Sequence, residues 1–237
     1  MKAIILAAGK GLRLYGTECA NHPKSMEIVG NSSIIHFQIK NCLKQGIKRF
    51  VFVVGYQKDM LINHILEVLD KEQAVFIENP IFDKTNTLYS LYLTKDQMNE
   101  DFIYFNADVL FHPDLLEKLV KGEEKNLLLI EKKKTGEEEV KVLVNDGLIS
   151  EIHKQIDPLK AEGEFIGIAK FIKKDLDLFK KCLETGVANH QENNYFEYAV
   201  NMMCLKTELI PIYTAGLPCI EIDFPEDLER AKTITFS

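Results

Sequence analysis

The chain of 237 residues is 46% hydrophobic and 27% charged, and its formal net charge is −7. This length and composition exclude a disordered or fibrous chain and favour one globular α/β domain with a sizeable core. The acidic balance argues against a nucleic-acid partner, because a phosphate backbone is bound by a basic surface.

Cysteine usage and the lengths of the apolar runs bear on the compartment. The five cysteines lack C-x-x-C spacing, so the sequence indicates neither a disulfide framework nor a zinc site. The apolar run between Lys2 and Gly9 is too short for a signal peptide, and no apolar run approaches the ~20 residues that span a bilayer. We therefore expect a cytoplasmic protein without a membrane partner.

Apolar runs and helical periodicity alternate through the first half of the chain. Continuous apolar runs predict buried strands at residues 3–6, 50–54, 75–77, 102–105 and 127–130, with a shorter strand at 26–29. Helices are predicted between them, for example one capped by Ser32 or Ser33 with Ile35 and Ile39 on its inner face. Parallel strands joined by helices bring their carboxyl ends to one edge of the sheet, where ligands bind.

The second half of the chain has a different pattern. Residues 131–139 form a charge run, most simply a solvated loop without a binding role. Asn145-Asp146-Gly147 predicts a hairpin between strands at 140–144 and 148–152, and further strands are predicted at 165–171, 209–213 and 219–222. The simplest organisation is one mixed, mostly parallel sheet with a small antiparallel extension.

The first strand leads into a loop suited to phosphate. Gly9 and Gly11 can adopt backbone angles that other residues avoid, so that their amides can turn towards one anion. Arg13 and Lys24 offer the cations best suited to triphosphate oxygens. Neither the P-loop nor the dinucleotide-binding pattern matches, and the segment is also compatible with a plain tight turn bearing surface cations.

Two carboxylates follow predicted strands, Asp108 after the fourth and Asp223 after the last. Carboxylates that converge beside a phosphate loop suit Mg²⁺, which prefers one or two carboxylates together with substrate phosphate oxygens. Each could instead cap a helix, and Asp223 before Phe224-Pro225 is well placed to do so.

These motifs together resemble those of the nucleotidyltransferases that make sugar nucleotides and related activated phosphates. The motifs are Leu6-Ala7-Ala8-Gly9 with Gly11 and Arg13, Pro23-Lys24, Gly55-Tyr56, Asp108 and Glu221-Ile222-Asp223. Residues 79–91 are similar to the branch of CTP:phosphocholine and 2-aminoethylphosphonate cytidylyltransferases. The resemblance implies a Rossmann-like three-layer α/β/α fold over a single domain, residues 1–237. It further implies a nucleotide-binding part at about 1–130 and an acceptor-binding, antiparallel part at about 131–237.

The implied activity is Mg²⁺-dependent transfer of CMP from CTP to a small phosphorylated or phosphonate amine or alcohol, with release of pyrophosphate. Phosphocholine or 2-aminoethylphosphonate is the expected acceptor. The resemblance places Arg13 on the departing pyrophosphate, Lys24 between the α-phosphate and the acceptor, and Lys154 beside the acceptor phosphate. It places Mg²⁺ on Asp108 and Asp223. The implied nucleotide-binding residues are Leu6, Ala7, Ala8, Gly9, Gly11, Gly55, Thr85, Asn86 and Ser90.

The acceptor's cationic head group needs carboxylates or aromatic faces. Glu164, Tyr195 and Glu197 are the candidates for this contact, although a Tyr or Glu in the first turn of a helix often serves only capping or packing. The motifs also differ from the usual family pattern at one point, because Leu14-Tyr15-Gly16 stand where a proline normally follows shortly after Arg-Leu.

Two other functions are compatible with the sequence. One is a nucleotidyltransferase for a sugar 1-phosphate or a polyol phosphate, which would favour neutral polar groups in the acceptor pocket. The other is a regulatory domain that binds a nucleotide without turnover. The presence of Arg13, Lys24, Asp108 and Asp223 together argues against it, since a sensor does not need the groups that release pyrophosphate. The sequence leaves the oligomeric state open.

Overall fold

Strands and helices alternate along the chain in the computed structural model, which describes residues 1–16, 21–122 and 124–236. The strands are β1 (Lys2–Ala7), β2 (Ile28–Val29), β3 (Ser32–Ser33), β4 (Phe50–Val54), β5 (Ala74–Glu78), β6 (Phe102–Asn106), β7 (Val109–Phe111), β8 (Asn126–Glu131), β9 (Lys141–Asn145), β10 (Leu148–His153), β11 (Gly163–Phe171), β12 (Leu209–Tyr213) and β13 (Cys219–Glu221). The helices are α1 (Leu12–Tyr15), α2 (Ile34–Lys44), α3 (Lys58–Ile65), α4 (Thr87–Tyr92), α5 (Pro113–Lys121), α6 (Leu176–Ala188), α7 (Glu197–Cys204) and α8 (Pro225–Thr233).

The main sheet has a parallel centre and an antiparallel side. Its strands follow the order β10-β9-β11-β6-β1-β4-β5, with β8 joined to β11 and β12 joined to β8. β1 runs parallel to both β4 and β6, with Ala3 opposite Phe50 on one side and Ile103 on the other. β11 runs antiparallel to β6, β8 and β9. The prediction of a mixed sheet with an antiparallel extension is therefore confirmed.

Helices cover both faces of this sheet over separate apolar cores. Ile4 and Tyr104 belong to a buried cluster that includes residues of α4, α6 and α7. Their sequence neighbours Ile5 and Phe105 belong to a second cluster with residues of α2, α3 and α5. Alternate strand residues point to opposite faces, so continuous apolar runs are what a sheet buried on both sides requires. The three-layer α/β/α arrangement predicted from the resemblance is thereby confirmed.

A short antiparallel ribbon outside the main sheet joins the C-terminal segment to the loop after β6. β13 pairs with β7, with Glu221 opposite Val109. The Ile222 amide then donates to the carbonyl of Asp108 at 3.0 Å. This pairing brings the two segments that carry the predicted metal-binding carboxylates side by side. β7 was not predicted, because three apolar residues are too few to distinguish a strand from a loop.

The predicted strand at 26–29 was only partly right. Lys24–Met26 form a 3₁₀ turn, and only Ile28–Val29 are extended, pairing with β3. The cap of α2 is Ser33, whose hydroxyl accepts from the His36 amide at 3.3 Å. Among the helices that the structure describes, none is both long and apolar enough to cross a membrane.

Candidate active site

One cavity of about 720 Å³ opens where β1 and β6 end. The predicted site residues in its lining are Leu6, Ala7, Ala8, Gly9, Gly11, Arg13, Lys24, Thr85, Asn86, Ser90, Asp108, Lys154, Glu164, Tyr195, Glu197 and Asp223. The carboxyl ends of the parallel strands and residues of the antiparallel side thus line the same cavity, as the strand order requires.

Gly55 is the predicted site residue that lies outside this lining. A Cβ added there would come within 2.8 Å of the Ala8 carbonyl oxygen and of the Phe82 ring. The next amide, that of Tyr56, donates to the same carbonyl at 3.0 Å. Gly55 therefore supports the loop after β1 from behind, and a larger residue would push that loop out of place.

The two glycines of the loop after β1 differ in conformation. Gly11 has φ +67° and precedes α1, and a Cβ there would approach the Lys24 side chain to 3.0 Å. Gly11 thus needs both its left-handed backbone and its missing side chain. Gly9 is not in the left-handed region, and a Cβ there would meet nothing within 4 Å. Gly11 thus uses the backbone freedom expected of a glycine here, whereas Gly9 leaves open space beside the cavity.

The cations of the loop are paired with the carboxylates across the cavity. The Lys24 ammonium lies 2.5 Å from Asp108 and 3.1 Å from Asp223. The Arg13 guanidinium lies 2.8 Å from Asp223, over the Phe224 ring, and is half exposed. Burial works to lower the pKa of Lys24, but the two carboxylates outweigh it and raise the pKa above the usual value. Lys24 is therefore held as a cation at the centre of the site.

Glu221 is a third carboxylate in this cluster, and the sequence-based assignment of metal ligands omitted it. Ligand oxygens of Asp108, Glu221 and Asp223 all lie within 4.8 Å of one another. Burial raises the pKa of Glu221 well above its usual value, and the neighbouring Asp108 and Asp223 carboxylates raise it further. The Asn106 amide holds the Glu221 carboxylate through a 3.0 Å hydrogen bond. Glu221 sits in the same short motif as Asp223, so the motif could have pointed to both acids.

The carboxylate cluster fits a divalent cation. It offers oxygen ligands from three side chains, and Oδ1 of Asp108 is buried with no hydrogen-bond partner among the described residues. A buried carboxylate oxygen without a donor is costly, and a hard cation would satisfy it. Lys24 and Arg13 also bring positive charge to these carboxylates.

The chain after Arg13 is anchored by a hydrogen bond between Tyr15 and Glu27, two residues outside the cavity lining. The Tyr15 hydroxyl donates to a Glu27 carboxylate oxygen at 2.5 Å, and Nε2 of His22 lies 2.8 Å from the same oxygen. Burial and the Glu27 carboxylate together raise the pKa of Tyr15, so the hydroxyl keeps its proton. Residues 17–20, which belong to the altered spacer noted in the sequence, lie outside the described residues.

A polar network fixes the segment predicted to contact the nucleoside. The buried Asn79 amide donates to the hydroxyls of Thr85, at 3.0 Å, and Ser90, at 3.1 Å. The Asn86 side chain caps α4 by accepting from the Thr87 amide at 2.8 Å. Thr85, Asn86 and Ser90 are thus held on one rigid turn at the cavity wall, although Asn79 itself was not among the predicted site residues.

The opposite half of the cavity carries the predicted acceptor residues. Glu164 of β11 accepts from the Lys133 ammonium at 2.6 Å. The Lys154 ammonium lies 4.9 Å from the centre of the Tyr195 ring and 3.6 Å from Glu138. This half thus combines acids, bases and one aromatic face, which suits a small charged molecule more than an apolar one.

Glu197 begins α7 and is only 5% exposed. Burial raises the pKa of its carboxyl group to about 7, an effect that Lys154 partly opposes. Its Oε2 has no hydrogen-bond partner among the described residues.

Residues 131–139 are largely exposed, as expected of a solvated loop, but part of the segment also borders the cavity. Glu131, Lys133, Glu138 and Glu139 belong to the cavity lining. The physical reason is Lys141, which is 1% exposed and donates to the carbonyls of Gly136, Glu137 and Glu139 at 2.7, 3.2 and 3.1 Å. The buried ammonium folds the segment back over the cavity.

A second cluster of possible ligands lies away from the cavity, at His36, His64 and Glu67. The two imidazole rings are stacked at 3.8 Å, so their ring nitrogens point along parallel planes and cannot share one ion in plane. Nε2 of His36 contacts the His64 carbonyl at 2.7 Å, and Nε2 of His64 contacts the Ser33 hydroxyl at 2.8 Å. These contacts engage the ring nitrogens within the protein, as is usual for packing residues.

Comparisons with known proteins agree with this geometry. Residues 2–140 match the family described as nucleotidyl transferase. The chain is 28% identical to the CTP:phosphoglutamine cytidylyltransferase of Campylobacter jejuni, over 97% of this chain and 98% of that protein. It is 34% identical to the choline-phosphate cytidylyltransferase of Streptococcus pneumoniae over 113 residues, 47% of this chain and 46% of that protein.

Solved structures show the same fold. The structure of the CTP:phosphocholine cytidylyltransferase from Streptococcus pneumoniae superimposes with a TM-score of 0.80 at 21% identity, covering 98% of this chain and 97% of that one. Since the family match extends over more than half of the sequence, the protein belongs to the nucleotidyl transferase family.

Proposed function

We propose that this enzyme is a cytidylyltransferase. It transfers CMP from CTP to a small phosphorylated or phosphonate amine or alcohol and releases pyrophosphate, with Mg²⁺ as its cofactor. The observation that supports the proposal is the division of one cavity into two charged halves. One half holds the loop after β1 with Arg13, Lys24 and the three carboxylates, and the other holds the acids and lysines near β11 and α7.

The first half suits a triphosphate. The loop from Ala8 to Gly11 lines the cavity, and a Cβ at Gly9 would meet nothing within 4 Å. Arg13 and Lys24 are the cations beside it, and both already face anionic oxygens. In the substrate complex we expect Arg13 to contact the departing pyrophosphate and Lys24 to bridge the α-phosphate and the acceptor.

The reaction needs charge neutralisation more than it needs a base. An acceptor phosphate oxygen is already a nucleophile at neutral pH, so it can attack the α-phosphorus of CTP directly. The bond from that phosphorus to the bridging oxygen then breaks, and the electron pair leaves with pyrophosphate. Lys24 and Arg13 hold the two anions together and in line, which is the main requirement of phosphoryl transfer.

The metal site belongs to the same proposal. Asp108, Glu221 and Asp223 would hold the ion, with Asn106 orienting Glu221. A bound Mg²⁺ supplies Lewis-acid stabilisation of charge on the phosphate oxygens. Because Lys24 contacts two of these carboxylates, Asp108 and Asp223, it would have to give up part of that contact when the ion binds. Its ammonium would then be free to contact the phosphates.

The choice of CTP and of a charged acceptor is supported by the relatives. Both of the related enzymes named above use CTP according to their names, and their acceptors are phosphoglutamine and choline phosphate. The second half of the cavity has Lys154 and Lys133 for the acceptor's anionic groups and Glu164, Glu197 and Tyr195 for a cationic one. A sugar phosphate would leave these charges without a matching group.

The test is release of pyrophosphate in the presence of Mg²⁺. CTP, UTP, GTP and ATP are each combined with phosphocholine, 2-aminoethylphosphonate, phosphoethanolamine, glutamine phosphate, inositol 1-phosphate and glucose 1-phosphate. We expect release with CTP and an amine-bearing acceptor. Release only with glucose 1-phosphate or inositol 1-phosphate would replace the proposal by a sugar- or polyol-phosphate nucleotidyltransferase. A preference for UTP or ATP would refute the assignment of cytidine.

A further inference from the structure

The acceptor half of the cavity contains a buried carboxylate with one oxygen that receives no hydrogen bond from the described residues. Glu197 is 95% buried in the first turn of α7 and lines the cavity, and Oε2 of its carboxylate has no hydrogen-bond donor among the described residues. A buried carboxylate oxygen without a donor is unfavourable, so its position at a binding cavity indicates that a ligand supplies the donor.

The cations near Glu197 are engaged elsewhere. Lys154 lies over the Tyr195 ring and beside Glu138, at 4.9 and 3.6 Å, and makes no hydrogen bond to Glu197 among those described. Lys133 donates to Glu164 at 2.6 Å. Glu164 thus has a lysine at ion-pair distance, whereas no ion pair within 4 Å is found for Glu197 among the described residues. Oε2 of Glu197 is therefore an acceptor in this half of the cavity that is left for a ligand.

The aromatic rings in the lining are also engaged. A protein cation lies over each of three rings, Lys10 over Phe82, Arg13 over Phe224 and Lys154 over Tyr195. A fourth ring, Phe165, packs against Phe196 with centroids 5.6 Å apart. A quaternary ammonium is recognised by uncovered aromatic faces, because its methyl groups cannot donate hydrogen bonds. The cavity therefore offers an oxygen that needs a donor, and it lacks an aromatic box among the described residues.

We propose that the acceptor's head group is an ammonium that still carries N–H bonds and donates one of them to Oε2 of Glu197. The acceptor class is then a short aminoalkyl phosphate or phosphonate with a primary amine, and the fully methylated analogue, phosphocholine, is a poor substrate. This inference rests on the proposed cytidylyl transfer and narrows its acceptor. Glu197 acts here as a specificity-determining residue, since it contacts the end of the acceptor remote from the reacting phosphate.

The test varies only the number of N–H bonds. Phosphoethanolamine and its N-methyl, N,N-dimethyl and N,N,N-trimethyl derivatives, the last being phosphocholine, are compared as acceptors with CTP and Mg²⁺. We expect kcat/KM to fall along the series and to drop at least tenfold between the dimethyl and trimethyl compounds, where the last N–H is lost. Equal values across the series, or a preference for phosphocholine, would overturn the inference while leaving cytidylyl transfer intact.

Two variants separate this role from a structural one. In Glu197→Gln the residue keeps its size but loses its charge, so the acceptor KM for phosphoethanolamine should rise at least tenfold, and the value for phosphocholine should rise much less because phosphocholine has no N–H bond to lose. Glu192→Gln is the matched control, because Glu192 precedes the same helix and does not line the cavity. If Glu197→Gln lowers activity equally for both acceptors, Glu197 is structural and the inference fails.

Direct binding distinguishes failure of the inference from failure of the proposed function. Phosphoethanolamine and phosphocholine are titrated calorimetrically into the protein with CMP and Mg²⁺ present, and again into Glu197→Gln. Binding of phosphoethanolamine that requires Glu197 supports the inference even if no cytidylyl transfer is found with any acceptor. Absence of binding by the wild-type protein, or binding that the variant retains in full, overturns it.

Discussion

Replacement of Glu197 by Gln should stabilise the protein, and the gain should depend on pH. Burial raises the pKa of this carboxyl from 4.5 to about 7. Between these two values the folded protein holds a proton that the unfolded chain has released. The free energy of unfolding of the wild-type protein therefore falls as the pH rises through this range, and it levels off above the folded pKa. Glutamine does not titrate, so the variant lacks this loss.

The size of the effect follows from the shift. Each pKa unit corresponds to about 1.4 kcal/mol, so a rise from 4.5 to about 7 corresponds to roughly 3 kcal/mol. The variant should match the wild type near pH 4.5, where both side chains are neutral, and exceed it by roughly 3 kcal/mol at pH 8, where the wild type has buried a charge. A residue that serves ligand binding can lower the stability of the protein, so a loss of this kind is expected at a binding site.

Urea unfolding of both proteins at pH 5, 6, 7 and 8 measures this difference. Other titrating groups are common to the two proteins and cancel in the comparison. Urea is preferred to guanidinium chloride because the salt would screen the charges that set the shift. An equal difference at all four pH values, or a variant less stable than the wild type at pH 8, would refute the account of Glu197 as an uncompensated buried acid.

Three further substitutions test the rest of the cavity. Asp108→Asn should leave the free energy of unfolding without metal nearly unchanged, because Asp108 both attracts Lys24 and repels Glu221. Turnover of this variant should fall about 1,000-fold, and the rise in Tm that Mg²⁺ and CTP cause in the wild type should disappear. If the Tm of the variant still rises with Mg²⁺ and CTP, the ion does not depend on Asp108 for binding. Lys24→Ala should lower the single-turnover rate at saturating CTP by about 100-fold, whereas an effect confined to CTP affinity would remove Lys24 from the reacting phosphates. Lys141→Met should release the 131–139 segment and raise the acceptor KM roughly tenfold, while the KM for CTP changes little. The control is Lys132→Met, which replaces an exposed lysine of the same segment and should change neither KM.

The triphosphate half of the cavity could be predicted because its residues lie in local motifs. The apolar run of β1 and the glycines after it indicate a buried strand followed by a phosphate loop, and Gly11 has the backbone that this requires. Asp108 follows β6 directly, so its place at the carboxyl edge follows from strand order. Asp223 was harder to place, since its approach to Asp108 depends on the β7–β13 ribbon, a pairing between segments far apart in sequence.

The 131–139 segment shows why a charge run is a weak guide. Glutamates and lysines in succession favour a solvated loop on composition alone. The segment is mostly exposed, but it is also held beside the cavity by the buried Lys141, whose ammonium binds three backbone carbonyls, and by the ion pair of Lys133 with Glu164. A lysine at the start of a strand gives no sequence signal of such burial. The missing information is tertiary, because the burial of Lys141 accompanies the pairing of β9 with β11, in which Lys141 lies opposite Glu164.

Recognition of the acceptor's head group likewise depends on tertiary contacts that the sequence does not reveal. These contacts place Glu197, the residue that we propose determines acceptor specificity. The start of α7 is fixed by contacts from distant parts of the chain. Phe196 stacks on Tyr104 of β6 at 4.2 Å, and the Asn201 side chain both donates to and accepts from the Ile152 backbone at 2.7 Å. These contacts hold Glu197 at the cavity whether or not a ligand is present, so its carboxylate cannot turn away to water. The same contacts also reach the other half of the cavity, because the Tyr104 hydroxyl donates to Oδ1 of Asn106, whose amide donates to Glu221. A substitution confined to the Glu197 side chain leaves Phe196 in place, so it should alter which acceptor binds while the loop after β1 and the carboxylate cluster keep their geometry.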